Sequence, residues 1–189
     1  MIFDFGLLVS AFEIGLRQAM LAAIGRPPMV NLKNRGTAAY LICHALAVRW
    51  LLTVINGVVL LHGAERGYFT LFALIALVDT LLYPVASHAV MQRMGCGNRW
   101  PGFIMLLTWV NNLRIMLLFA VGMLSIIIPG LEVLILGFVL WMLWTAWRAA
   151  TISLGRGGWA GGGMILLSVL LEVGLGVIVL GLVITPRLG

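Results

Sequence analysis

Four charged side chains, two cations and two anions, lie near the middle of four separate apolar runs. They are Arg49, Asp79, Arg114 and Glu172. If these runs cross a bilayer, all four charges lie near its midplane, where one charge costs about 2.5–3.5 kcal/mol on insertion scales. We therefore expect each of them to face the interior of a helix bundle beside a partner of opposite charge.

These four charges support two interpretations. In the structural one, Arg49 pairs with Glu172 and Arg114 pairs with Asp79, which fixes the order of the helices, although the spacing does not determine the pairing. In the functional one, the charges form a polar path or a substrate site at the midplane, as intramembrane ionisable residues often do.

Uncharged polar residues extend the helix faces on which the charges lie. They are Asn56, Tyr83, Asn111 and Asn112. Asn56 shares a face with Arg49, and Tyr83 lies four residues after Asp79. Such residues either line a water-filled cavity or form hydrogen bonds between helices, which contribute about 0.6 kcal/mol each.

The composition requires that lipid surround the elements carrying these residues. Of the 189 residues 62% are hydrophobic and 10% are charged, against about 45–50% and about 25% in soluble domains. Five apolar runs exceed the roughly 20 residues that a helix needs to span a bilayer. They are Thr37–Leu61, Tyr68–Met91, Phe103–Ile128, Leu131–Leu154 and Gly161–Thr185. The sequence predicts an all-α, polytopic integral membrane bundle, because an open strand edge has no hydrogen-bond partners in lipid.

The cations between the runs predict the orientation of the bundle. One side carries eight of them: Arg17, Arg26, Lys33, Arg35, Arg93, Arg99, Arg148 and Arg156. The other side carries Arg66 and Arg187. The excess of positive charge marks the cytoplasmic side, so we expect a cytoplasmic amino terminus and a carboxyl terminus on the opposite side.

The segment before the first run is ambiguous between two arrangements. Ile2–Ile24 is long enough to span, but Ser10, Glu13 and Arg17 recur at spacings of three and four and form one polar stripe. This pattern favours an amphipathic helix in the cytoplasmic interface over a sixth span. We therefore divide the chain into an interfacial segment, 1–36, and a transmembrane bundle, 37–189.

The sequence motifs do not indicate catalysis. No Gly-x-Ser-x-Gly motif occurs, and the glycine-rich stretch 155–163 lacks the Lys-Ser/Thr of a phosphate-binding loop. We predict no enzyme, cofactor or metal, although His44 and His88 lie toward one end of their runs and leave bis-histidine ligation as an alternative. We predict no nucleic-acid partner either, because the net charge of +6 comes from cations between apolar runs.

Three tryptophans mark one face of the fourth run. Trp141, Trp144 and Trp147 recur every three residues, and Arg148 follows them. Tryptophans of this kind usually form an interfacial belt. Because Trp141 would lie deeper than a belt, these residues also suggest a contact face for another membrane protein or a second copy.

Three segments of the chain resemble the Yip (Ypt-interacting protein) family, particularly its compact bacterial members. They are Phe12–Arg17 with the turn Arg26-Pro27-Pro28, the connection His88–Gly97, and Trp141–Arg148 with the glycine-rich loop that follows. The resemblance implies five spans with a cytoplasmic amino terminus in a bacterial inner membrane. The Asp-Leu-Tyr-Gly-Pro stretch of eukaryotic members is absent, so their association with Rab GTPases is not carried over.

Together these features give two hypotheses about function. The first is a non-enzymatic scaffold, a membrane-organising protein or an accessory subunit of a membrane complex. The second is a small transporter or an ion or proton pathway that uses the midplane charges. The partners expected are the lipid bilayer and another membrane protein or a second copy.

Overall fold

The described part of the chain folds as a bundle of six α-helices. The computed structural model describes residues 5–24, 35–60, 66–125, 127–128, 130 and 132–184. The helices are α1 (Phe5–Ala23), α2 (Arg35–Leu60), α3 (Arg66–Arg93), α4 (Trp100–Ser125), α5 (Glu132–Leu154) and α6 (Gly158–Ile184). No strand occurs in these residues, and α2 to α6 are long and apolar enough to cross a membrane. The predicted all-α, multi-pass bundle is confirmed.

Four helices begin earlier than the apolar runs predicted. Helix α2 begins at Arg35, α3 at Arg66, α4 at Trp100 and α6 at Gly158. In α4 the second residue is Pro101, which a first helical turn tolerates because an N–H there has no partner within the helix. The start of α2 also places the proposed division between residues 36 and 37 inside the first turn of a helix.

Helix α4 is the most enclosed of the five apolar helices. It packs mainly against α2, α5 and α1, and the outer helices follow one another in the order α1, α2, α3, α6, α5 and back to α1. Ten consecutive residues of α4, from Phe103 to Asn112, are buried. A helix that is apolar all round is expected at such an enclosed position.

Helix α1 packs against α4 through a face of small residues. The small residues are Ala11, Gly15, Ala19 and Ala22, and Gln18 is buried beside them. The indole ring of Trp109 lies where a Cβ of Gly15 would stand, and the ring of Phe12 meets the same indole edge-on at 5.3 Å. The polar stripe of Ser10, Glu13 and Arg17 is exposed outside the bundle. Glycine at position 15 therefore allows α1 to dock closely on the centre of the bundle.

Two connections lie side by side at one end of the bundle, which we call the basic end: residues 94–99 after α3 and residues 155–157 after α5. Helix α3 ends in a Schellman turn, in which Gly95 has φ +70° and Cys96 N–H donates to Met91 O at 2.9 Å. The guanidinium of Arg99 donates to Leu154 O, while that of Arg156 donates to Met94 O at 2.7 Å.

Each connection thus supplies an arginine to the carbonyl-rich carboxyl end of the other helix. We call these two contacts the arginine clasp. The last carbonyls of a helix have no partner within it and carry partial negative charge, so a cation there is favourable. The clasp fixes both connections at one end of the bundle.

Candidate functional site

The charged network consists of Arg49, Asp79, Arg114 and Glu172, which the structure brings together at one depth. Arg49, Arg114 and Glu172 each lie 14 residues after the first residue of their helix, and Asp79 lies 14 residues before the last residue of α3. At 1.5 Å per residue this is roughly 21 Å from the basic end. Four separate helices therefore deliver their charges to one level.

The four residues form one continuous series of ion pairs. Arg49 Nη2 lies 3.1 Å from Asp79 Oδ2 and 3.6 Å from Glu172 Oε1. Arg114 Nη2 lies 3.5 Å from the same glutamate oxygen. The order is Asp79, Arg49, Glu172, Arg114, so opposite signs alternate and the formal charge sums to zero. The pairing of Arg114 with Asp79 considered from sequence is not among the ion pairs of the described residues.

Burial differs sharply along the series. The Arg49 side chain is 7% exposed, whereas Asp79, Arg114 and Glu172 are 23%, 28% and 33% exposed. Arg49 Nε is buried and has no hydrogen-bond partner among the described residues. Glu172 likewise contacts both cations, but Arg49 is the most buried member. Its loss would therefore leave Asp79 without a cation in the least solvated part of the network.

Two of the supporting polar residues form hydrogen bonds between helices. The hydroxyl of Tyr83 on α3 donates to Met164 O on α6 at 3.1 Å. The amide of Asn112 on α4 donates to Ala45 O on α2 at 3.0 Å. Asn111 is buried and Asn56 is half-buried. Tyr83 and Asn112 therefore act as interhelical ties, the second of the two roles considered for them.

A further polar contact joins α3 to α4. The indole N–H of Trp100 donates to Ser87 Oγ at 3.1 Å, and that hydroxyl donates to Pro84 O at 3.0 Å. Pro84 lies inside α3. Tyr83 and Ser87, which follow Asp79 at intervals of four, thus bind α6 and α4 between the charged network and the basic end.

The two histidines considered for joint ligation lie against different tryptophans. His44 stacks on Trp109 with ring centroids 5.9 Å apart, and His88 meets Trp100 edge-on at 4.9 Å. Among the residues that the structure describes, no group of three His, Cys, Asp or Glu side chains is placed to hold a metal ion. Both described cysteines, Cys43 and Cys96, are free thiols.

The tryptophan face on α5, made of Trp141, Trp144 and Trp147, is partly used inside the bundle. Trp147 Nε1 donates to Gly158 O at 2.9 Å across the α5–α6 turn. The guanidinium of Arg148 lies 4.9 Å from the centre of the Trp144 ring, a cation–π contact. Trp141 and Trp144 are each 42% exposed outside the bundle, so this part of the face is free to contact lipid or a partner.

Sequence reasoning missed the arginine clasp and the docking of α1 on α4. In the sequence Arg99 and Arg156 indicate only the orientation of the bundle, because their carbonyl partners are not visible in a pattern of residue types. For α1 a signal was present: small residues recur at intervals of three and four at positions 11, 15, 19 and 22, and the glycine among them permits another element to approach closely. Comparisons with protein families, curated proteins and solved structures found no match to this chain.

Proposed function

We propose that this protein is a non-enzymatic scaffold or accessory subunit of a membrane complex, and that the charged network is an ionic lock within it. One observation carries this proposal: Arg49 contacts both carboxylates, so four helices are tied together by a series of ion pairs that neutralises itself. A site built to bind a charged substrate is expected to leave a net charge unsatisfied, whereas this network sums to zero.

The neighbouring polar groups support the same role. Tyr83 and Asn112 use their donors on backbone carbonyls of other helices, which fixes helix positions. The part of the tryptophan face outside the bundle, Trp141 and Trp144, supplies large rigid side chains of the kind enriched at protein contacts. The proposed architecture is a rigid bundle that presents an aromatic face to a second membrane protein.

We further propose a bacterial inner membrane, with the basic end in the cytoplasm and the carboxyl terminus in the periplasm. The excess of arginine and lysine on the side of the basic end supports this orientation. Membership of the Yip family stays a prediction based on the segments that resemble it; five spans preceded by another helix are compatible with that family.

Co-purification tests the scaffold proposal. The tagged protein is extracted in a mild detergent, and stoichiometric partners are identified by mass spectrometry for the wild type, for Trp141→Ala with Trp144→Ala, and for Phe119→Ala. Phe119 is an exposed aromatic residue of α4 and serves as the matched control. We expect a partner that is lost from the tryptophan variant and retained in the control. Repeated recovery of wild-type protein without any partner would count against the proposal.

A second candidate function is an ion or proton pathway, and one observation favours it. Glu172 and Arg114 are about one-third exposed, at the depth where α4 ceases to be fully enclosed. Purified protein in liposomes would then move protons or a small ion, with Glu172→Gln or Asp79→Asn changing the flux. Wild-type liposomes without flux, or equal flux in all three proteins, would exclude this alternative.

A further inference from the structure

An apolar groove runs between α3 and α6 close to the basic end. Its volume is about 360 Å³, and its lining includes Met94 after α3 and Ala160, Gly163, Met164, Leu167 and Leu170 on α6. From Ala160 to Leu170 the groove follows α6 for roughly 15 Å at 1.5 Å per residue. Every lining residue is apolar, and the groove belongs to neither the charged network nor the tryptophan face.

Arginines lie at the end of this groove. Met94 lines it and directly follows the last residue of α3, and the Met94 carbonyl accepts the hydrogen bond from Arg156. Arg93, next to Met94, is exposed. Arg156 uses one N–H group on the carbonyl, and a guanidinium has five, so the clasp holds the cation in place while leaving donors for another ligand.

The charge near the groove is positive, and the neighbouring segments of the chain supply no carboxylate to neutralise it. No acidic residue occurs in the sequence from 80 to 131 or from 133 to 171, which includes both connections of the basic end. Glu13 is carried by α1, which packs against α2, α4 and α5 and is separated from the groove by the ring of helices. An anion at Arg93 and Arg156 therefore meets no carboxylate from these segments.

We propose that this groove binds one anionic phospholipid, with an acyl chain along α6 between Met94 and Leu170 and the phosphate at Arg93 and Arg156. The ligand must offer an apolar chain and a negative head group joined at the level of the membrane surface, and an anionic phospholipid meets both requirements. Basic sites between membrane helices bind such head groups in general. The site requires only that the bundle lies in a membrane and is independent of the proposed scaffold role.

Substitution of Gly163 tests whether the groove holds the acyl chain. A Cβ added at Gly163 meets no atom within 4 Å, and the same holds for Gly174 on the same helix outside the groove. Gly163→Leu should therefore fill the groove without disturbing the backbone, and Gly174→Leu is its matched control. Arg156→Gln tests the head-group part, and Arg156→Lys keeps the charge.

The experiment measures lipid binding by native mass spectrometry of delipidated protein in a non-ionic detergent. Phosphatidylglycerol and phosphatidylcholine with identical acyl chains are the probes. Wild type should bind one phosphatidylglycerol about 10-fold or more tighter than phosphatidylcholine, because arginines at the membrane surface attract an anionic head group. Gly163→Leu should weaken both lipids about 10-fold by displacing buried methylenes, and Gly174→Leu should match wild type.

The head-group variants separate the two parts of the site. Arg156→Gln should reduce the preference for phosphatidylglycerol while leaving phosphatidylcholine binding unchanged, and Arg156→Lys should retain most of the preference. Equal binding of the two lipids by wild type, unaltered binding by Gly163→Leu, or complete displacement of the lipid by inorganic phosphate would each overturn the proposal. A phosphatidylglycerol with a photoactivatable acyl chain, bound to wild-type protein, should label Met164 or Leu167. Labelling elsewhere would contradict the proposal, and this test needs no variant.

Discussion

The bundle has two halves that are packed very differently, and the charged network lies between them. The basic half comprises residues 35–48, 80–113 and 141–171, and the open half comprises 50–60, 66–78, 115–125, 132–140 and 173–184. In the basic half, α4 is buried over ten consecutive residues. Among the residues of the open half whose burial the structure describes, Gly57 and Ala76 are buried and the others are at least partly exposed.

The contrast shows that different forces hold the two halves together. Side-chain packing around α4, the hydrogen bonds of Tyr83 and Asn112 and the arginine clasp all lie in the basic half. Beyond them, the charged network joins α2, α3, α4 and α6. Within the open half α2 and α3 still meet, because Trp50 Nε1 donates to Ala73 O at 3.1 Å and the Phe72 ring packs on Gly57. Damage to the network should therefore release the open half first, and damage to the packing should destabilise the whole bundle.

Loss of Arg49 should be the most costly single change. Arg49→Met leaves Asp79 without its cation, and breaking a buried pair in this way costs about 3–5 kcal/mol. The measurement is the free energy of unfolding in mixed micelles with a denaturing detergent, followed by circular dichroism. Arg17→Met, an exposed cation of α1, is the control and should change stability by less than about 0.5 kcal/mol.

An exchange of charges distinguishes an ionic lock from a general need for arginine. The double variant Arg49→Asp with Asp79→Arg restores opposite signs at the same pair and should recover a substantial part of the stability that Arg49→Asp alone loses. If the double variant is no more stable than the single one, the pair does not act through its charge and the ionic lock is wrong.

Truncation of one leucine in each half tests the packing contrast directly. Leu106 is fully buried in the basic half, whereas Leu124 on the same helix is 47% exposed in the open half. Leu106→Ala should cost about 2–5 kcal/mol through lost burial and a cavity, and Leu124→Ala should cost well under 1 kcal/mol. The same unfolding titration measures both, and equal losses would mean that the halves are packed alike in the membrane environment.

The sequence predicted the helices and their common depth because both depend on linear spacing. Phe103–Ile128 and Trp100–Ser125 describe the same span, and the charges near the middle of each run fall 14 residues from the basic end. The predicted starts of α4 and α6 were wrong, because an apolar run marks the residues that contact lipid. The helices themselves begin earlier, at Trp100 and Gly158, where the polar turn still forms helical backbone hydrogen bonds.

The pairing within the network depends on the arrangement of helices around α4, which linear spacing does not contain. A carboxylate at the right depth can meet either arginine, and it is the contact of α3 with α2 that brings Asp79 to Arg49. The same reason applies to the arginine clasp, whose acceptors are backbone carbonyls. Such acceptors occur at every residue, so no residue type signals them.

Substitution of Gly15 tests whether α1 belongs to the basic half. Gly15→Ala places a methyl group against the Trp109 ring, and overpacking of this kind costs about 1–3 kcal/mol. Gly122→Ala in the open half meets no atom within 4 Å and should be neutral or slightly stabilising, because alanine favours a helix. Tryptophan fluorescence and the unfolding titration report the change. Equal behaviour of the two variants would show that α1 does not dock on α4.

The smallest effect is expected at the arginine clasp, where a local rather than a global change is predicted. Arg99→Met removes the cation from the Leu154 carbonyl, and such an interaction at a helix end contributes about 0.3–1 kcal/mol. Arg93→Met is the control, because Arg93 is exposed at the same end and the charge lost is the same. Hydrogen exchange in lipid-free micelles should quicken at Gly155 and Leu154 in Arg99→Met and stay unchanged in Arg93→Met. If the two variants exchange equally fast at these positions, this end is stabilised by the packing of the fully buried Leu154 and not by the arginine clasp.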